Sequence, residues 1–256
     1  MEFWKTRFIG QNRCYHLVSR LAHRAFFLDD EEKDRAVALM RRVEEFSGIV
    51  VLAYAFMSNH FHIFIYVPSK SSFLRRMWNS AEFMRTFKQH FTMSFNGRRE
   101  HRGTMFEGRY HERNYPAERA AMWRTSAYID INAWKAGTAE HPEDYRWCSF
   151  AAAVHGDGKA RAGYGFMYGG GEWRILRECH EKSMREAMSD VLKTRGPENG
   201  ERPSDCGAGP VDSKACPRLD MPGEVGVGLA RGREKTAKKI LDLLADGPRR
   251  PRRRQR

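Results

Sequence analysis

The chain has 256 residues with 45 Lys+Arg against 32 Asp+Glu, and its formal net charge of +13 favours a polyanionic partner, most simply nucleic acid. Its five cysteines, Cys14, Cys148, Cys179, Cys206 and Cys216, form no Cys-x-x-Cys pair, which argues against a disulfide framework and for a reducing compartment. No apolar run approaches the roughly 20 residues that cross a bilayer, and Met1-Glu2-Phe3-Trp4-Lys5 lacks the apolar core of a signal peptide, so no membrane association is expected.

Cys14 to Ser19 reads as a first strand. Asp29-Asp30-Glu31-Glu32 then opens a helix, with acids where the dipole is positive. Its apolar positions Ala36, Met40, Val43 and Phe46 recur at helical spacing, and Gly48 stops it. The near-continuous apolar run Ile49 to Met57 predicts a buried strand, and Ser58-Asn59 turns into a third strand from His60 that Pro68 ends. Ser71-Ser72 can cap a long helix whose stripe is Leu74, Met77, Ala81, Met84, Phe87, Phe91 and Phe95, with Arg75, Arg76, Arg85 and Lys88 off the stripe. Those four form either a solvated face or a phosphate-contacting one. The basic, glycine-punctuated run from Asn96 to Gly108, carrying Arg98, Arg99 and Arg102, reads as a loop, and Phe106 to Arg113 as a fourth strand. Pro116 suits the first position of a helix that Gly137 closes.

Past Phe150 the character changes. Gly163 to Gly171 predicts a flexible loop; no Gly-Lys-Ser/Thr follows it, so it supports no nucleotide cofactor. Trp173 to Lys193 predicts an amphipathic helix, and residues 194–256 a linker and basic tail, largely disordered. Residues 229–256 hold eleven Lys/Arg and three Asp/Glu, 11 − 3 = +8, which leaves +5 on the other 228 residues. The division expected is 1–150, a helical extension 151–193, and the tail 194–256. The element order predicts an α+β fold, a sheet covered by helices on one face.

Two separated features carry chemistry. In the strand reading, His60 and His62 point to one face and Phe61, Ile63 and Ile65 to the other. Two such imidazoles make half of a divalent-metal site or a pair of phosphate contacts; equally, they are ordinary half-buried histidines. The helix after Pro116 carries Arg124, Tyr128 and Asn132 at steps of four, a polar row beside the apolar stripe Ala120, Trp123, Ala127, Ile131 and Trp134. A phenol there can attack phosphorus and form a covalent ester, and a metal held by two imidazoles and an amide oxygen can polarise the phosphodiester. Against this stands a core-edge tyrosine with a hydrogen-bonded hydroxyl. The other eight histidines show no ligand spacing, and Asp130 lies on a different helix face from Tyr128.

Six pieces in order resemble the REP-associated tyrosine transposases, a branch of the single-tyrosine HUH transposases. They are Tyr15-His16-Leu17-Val18-Ser19-Arg20, Phe27-Leu28-Asp29-Asp30, Met57-Ser58-Asn59-His60-Phe61-His62, Gly103-Thr104-Met105-Phe106-Glu107-Gly108-Arg109-Tyr110, Tyr128-Ile129-Asp130-Ile131-Asn132 and Asp144-Tyr145-Arg146-Trp147-Cys148-Ser149. The resemblance implies a ferredoxin-like antiparallel sheet backed by helices. It implies His60 and His62 as ligands of Mg²⁺ or Mn²⁺, Asn132 as third ligand, and Tyr128 as the nucleophile of a metal-dependent endonuclease and strand transferase. Such an enzyme cleaves and rejoins single-stranded or hairpin DNA through a 5′-phosphotyrosine; a domesticated, catalytically silent DNA-binding protein is the alternative. Arg75, Arg76, Arg85, Lys88, Arg98, Arg99, Arg102 and Arg109 are the candidate DNA contacts. A cytoplasmic, nucleoid-associated location follows, and the wider family includes both monomers and homodimers. Where that family runs Pro-Val-Arg-Ala-Gly after Tyr-x-x-x-Asn, this chain has Ala133-Trp134-Lys135-Ala136-Gly137, so the helix is expected to run on past Asn132.

Overall fold

Four strands pair into one antiparallel sheet of order β2-β3-β1-β4: β1 (Arg13–Arg20), β2 (Val50–Phe56), β3 (His60–Val67) and β4 (His111–Pro116). The structure is a computed structural model and describes residues 12–22, 28–68 and 79–194. With helix α1 (Asp30–Ser47) after β1 and α2 (Ser80–Arg98) after β3, the order βαββαβ and this strand arrangement give the expected ferredoxin-like α+β fold.

Local chemistry sets the element ends. The Asp29 side chain accepts from Glu32 N at 2.9 Å to cap α1, and Gly48 ends the helix in the left-handed conformation (φ 70°), its N–H donating to Glu44 O. The turn at Ser58-Asn59 is closed by Met57 N donating to His60 O at 2.9 Å. Ser71-Ser72, the expected start of helix α2, lie outside the described residues. Asn79 has extended backbone and accepts from Glu82 N at 2.7 Å, so the helix is capped there. Its Phe83, Phe87, Phe91 and Phe95, at steps of four, are buried, and the Phe87 ring meets those of Phe56 and Phe61 beneath the sheet. Each such ring contributes roughly 1.5–3 kcal/mol by leaving water. Helix α2 also runs on through Arg98, into the stretch that composition assigned to a loop.

The fourth strand begins later than its apolar start suggested. Phe106 forms an isolated bridge with Leu21 and buries its ring against Phe61, and Gly108 (φ 58°) makes the turn before β4 begins at His111. Pro116 therefore closes an edge strand, where a missing N–H costs no ladder bond, and does not open the next helix.

Helices cover both faces of the sheet, where the pattern predicted one. Helices α1 and α2 take the face that carries Phe56 and Phe61; α3 (Arg119–Asp130) and α6 (Gly158–Tyr168) take the other, with α7 (Trp173–Thr194) packed on α3. Between them lie the single turn α4 (Asn132–Lys135) and the short α5 (Ser149–Val154). Of the glycine-rich run, Gly163 to Tyr168 is helical, and only Gly169 to Gly171 leave the helix, with positive φ. A Cβ at Gly163 would lie 2.9 Å from Leu52 O and 3.1 Å from Val51 O, so glycine lets α6 sit directly on β2. The Tyr145–Ser149 segment seals the β2 edge: Phe56 N donates to Trp147 O, Tyr145 Oη to Phe56 O at 2.7 Å, and Tyr54 N to Ser149 Oγ. The expected linker and tail, residues 195–256, lie outside the described residues. Among the described residues, no helix is long and apolar enough to cross a membrane.

Candidate active site

Directly opposed residues of paired strands share a face. The register sets Val18 opposite His62, Arg20 opposite His60 and His16 opposite Phe64, so His16, Arg20, His60 and His62 project to one side, the α3 side. His16 and His62 stack with centroids 5.1 Å apart, and His16 Nε2 lies 2.9 Å from His62 Nδ1. His60 stands edge-on to His62, with centroids 5.0 Å apart, and its Nδ1 is 2.7 Å from Asn59 Oδ1. The amide oxygen only accepts, so Nδ1 of His60 carries the proton and a neutral ring keeps its lone pair on Nε2.

The buried rings are neutral. Burial, reinforced by the neighbouring His16, His60, Lys135 and Arg20, holds the pKa of His62 well below the usual imidazole range. Burial and then the Arg113 guanidinium push that of His16 down to about 4. His62 Nε2 is buried and has no hydrogen-bond partner. An unsatisfied buried nitrogen is costly, and in the tautomer whose Nδ1 donates to His16, Nε2 carries the lone pair that a cation would bind. The residues fit a divalent ion in that sense. Among the described residues no group of three or more His, Cys, Asp or Glu could hold a metal, so any ion here depends on two imidazoles plus uncharged or substrate oxygens.

Tyr128 reaches this cluster from α3. Its half-buried ring stands edge-on to His62 and His16, with centroids 6.3 and 6.4 Å away. The helix breaks just beyond it, at Ile131 (φ −82°, ψ 0°), although the family's proline is absent. Asn132 supplies the reason: its Nδ2 donates to the carbonyls of Tyr128 and Ile129, both at 3.0 Å, a side-chain competition that ends regular turns. Asn132 is thus buried with its amide nitrogen anchored. Lys135, seven residues past Tyr128, donates from Nζ to Tyr128 Oη at 3.3 Å, and Nζ lies 4.9 Å from the ring centroid.

His16 and Lys135 are the two neighbours that sequence reasoning passed over. His16 stood within a quoted piece, Tyr15-His16, but nothing in its own spacing shows that β1 lies beside β3. Lys135 entered only as part of a departure from the family's run.

The expected basic contacts are placed differently. Helix α2 packs on the opposite face of the sheet from the imidazoles. There, Arg98 pairs with Glu32 at 2.6 Å, Arg99 pairs with Glu32 and Asp29, Arg85 pairs with Glu82, and Lys88 donates to Gly108 O at 3.1 Å. Glu32 is fully buried, so the arginines tie α2 to α1 by compensating a carboxylate that needs a partner. These four side chains are not brought to the candidate site. Arg102 and Arg109 are exposed loop residues, and Arg75 and Arg76 lie outside the described residues. Among the described residues, the imidazole face carries, besides Lys135, Arg20 and, across β1, Arg113, which pairs with His16 in the β1–β4 register.

Asp130 has a clear structural role. It is fully buried and accepts from Ser149 Oγ at 2.7 Å, Phe150 N at 3.1 Å, Tyr164 Oη at 2.7 Å and His180 Nε2 at 2.9 Å, while His180 Nδ1 meets Tyr168 Oη at 3.0 Å. Four bonds pin the end of α3 to α5, α6 and α7, and so fix the rotation that turns Tyr128 toward the sheet. Of the apolar stripe expected on this helix, Ala127 and Ile131 are buried, but Ala120 is exposed and Met122 and Ile129 share the inner face.

Residues 11–130 match the family model of IS200-like transposases, which bears out the resemblance read from the sequence. No curated protein matches the chain. Among solved structures, a REP-associated tyrosine transposase bound to a REP hairpin is similar at a TM-score of 0.51 and 16% identity, over 61% of this chain and 87% of that one. At that identity the likeness concerns the fold.

Proposed function

From the match of residues 11–130 to IS200-like transposases, we propose that this chain cuts and rejoins single-stranded or hairpin DNA, with Tyr128 as nucleophile and His60 and His62 as ligands of Mg²⁺ or Mn²⁺. The observation that carries the proposal is the convergence of the Tyr128 ring on His62 and His16, at 6.3 and 6.4 Å. A divalent ion bound there supplies Lewis-acid polarisation of the scissile phosphodiester. Asn132 Oδ1 is the third protein donor in this reading.

The chain's own residues do the rest. His16 holds His62 through Nδ1, which fixes the ring's orientation and aims Nε2 outward from the pair. Asn59 does the same for His60. The Asp130 network holds α3 so that the phenol faces the imidazoles. Tyr128 Oη forms a bond to phosphorus, the P–O3′ bond breaks, and the departing strand ends in a 3′-hydroxyl while the other strand remains as a 5′-phosphotyrosine. Because the ester conserves the bond, a 3′-hydroxyl can attack it in the reverse sense with no nucleotide triphosphate. Arg20 and Arg113, on the imidazole face, take the backbone phosphates, and Arg102 and Arg109 serve flanking nucleotides.

The test uses labelled hairpin DNA with Mn²⁺, resolved on a denaturing gel. The wild type is expected to give a protein–DNA adduct, and Tyr128→Phe none while it still shifts the DNA under native conditions. Cleavage by Tyr128→Phe at the wild-type rate contradicts the assignment, and tight binding by the wild type without any adduct supports a silent DNA-binding protein instead.

A further inference from the structure

We infer that Lys135 is a catalytic residue whose ammonium holds the negative charge developing on Tyr128 Oη as that oxygen joins and leaves phosphorus. The inference rests on the reading of Tyr128 as nucleophile given above and identifies the group that acts on it. Lys135 Nζ is 3.3 Å from Tyr128 Oη and 4.9 Å from the centre of its ring, so the cation touches both the reacting atom and the ring that carries it. No other side chain in the described structure is seen to donate a hydrogen bond to this oxygen.

The placement follows from the chain's local structure. Lys135 ends the single turn α4 that follows the break at Ile131, and from there its side chain reaches back to Tyr128. Asn132, between them, breaks the helix and anchors its own amide on the Tyr128 and Ile129 carbonyls, so α4 holds Lys135 at a set offset from the phenol. The surroundings favour a cation's action: His62 and His16 are buried beside the phenol, and charge is stabilised more in a water-poor site than in bulk solvent.

The step balances without a further reactant. On cleavage the Oη–P bond forms and the P–O3′ bond breaks, and the phenolic proton ends, net, on the 3′-oxygen. On joining, a 3′-hydroxyl attacks phosphorus, Oη leaves, and the proton returns to it. Phenolate character appears at Oη in both directions, so one ammonium serves both. Lysine suits the task because its three donors swivel on a flexible stem and can follow the oxygen as it moves toward phosphorus.

The experiment compares wild type, Tyr128→Phe, Lys135→Met, Lys135→Arg and Lys135→Ala in single-turnover adduct formation. The probe is a library of single-stranded DNA hairpins with randomised flanks, in Mn²⁺, with affinity measured in parallel by gel shift. Loss of one such donor predicts about 100-fold slower adduct formation by Lys135→Met, with binding changed far less and Lys135→Arg recovering part of the rate. Added ethylammonium is expected to accelerate Lys135→Ala, and tetramethylammonium, which has no N–H, is expected not to. This rescue separates a chemical role from a structural one even if Lys135→Met folds poorly. Lys135→Met at the wild-type rate overturns the inference and leaves Tyr128 as nucleophile. So does a slow Lys135→Ala that ethylammonium fails to accelerate. A wild type that forms no adduct with any hairpin, or Tyr128→Phe forming adduct at the wild-type rate, overturns the nucleophile reading and this inference with it.

Discussion

His62 is placed by its neighbour: one ring nitrogen meets His16 at 2.9 Å, and the other is buried without a partner. Removing His16 leaves His62 free to rotate. His16→Ala is therefore expected to weaken Mn²⁺ binding on the order of 10- to 100-fold, measured by isothermal titration calorimetry, without loss of fold. Unchanged Mn²⁺ affinity contradicts the orienting role. At this scale His60, His62, Tyr128 and Asn132 were legible as candidates, because a period of two and a step of four are visible in a single segment. His16 and Lys135 were not. The first acts across a strand pair whose register no local pattern gives, and the second acts at a seven-residue spacing that only matters once Tyr128 is known to turn inward.

Helix α6 shows how an element can be hidden by its composition. Glycines at 163 and 165 lower helix propensity, yet the segment is helical because tertiary packing outweighs that preference and Gly163 permits contact with the β2 backbone. The two positions separate these effects. Gly163→Ala is expected to lower stability by about 1–3 kcal/mol through overpacking. Gly165→Ala, whose Cβ would meet nothing within 4 Å, is expected to raise it by about 0.5–1 kcal/mol. Urea midpoints measure both, and equal effects at the two sites contradict the close-packing account. The shift of β4 to His111–Pro116 has a similar origin: Phe106 has strand chemistry but spends its ring in the core beside Phe61 and Phe91, and Gly108 turns the chain before pairing resumes.

Across the whole molecule, the two helical layers divide the work. The α1–α2 side carries arginines committed to Glu32 and Asp29, and the α3 side carries the imidazoles, the phenol, Arg20 and Arg113. The second layer was hard to foresee because α5, α6 and α7 follow the βαββαβ unit, and only the packed structure shows them turning back onto β2 and α3. The division predicts opposite consequences for two substitutions of like charge. Arg113→Ala should reduce the slope of log K against log salt for single-stranded DNA by about 0.7, one phosphate contact. Arg98→Ala should leave the slope unchanged and instead lower stability, since it strands part of the buried Glu32 charge. An altered slope for Arg98→Ala alone would place the DNA on the wrong side of the sheet. The most direct measurement of the central claim is mass-spectrometric mapping of the covalent product after incubation with hairpin DNA and Mn²⁺ and digestion by trypsin and nuclease. The account predicts a nucleotide 5′-phosphate on the peptide spanning residues 125–135, at Tyr128. Attachment at any other residue, or cleaved DNA with no attached protein, contradicts it.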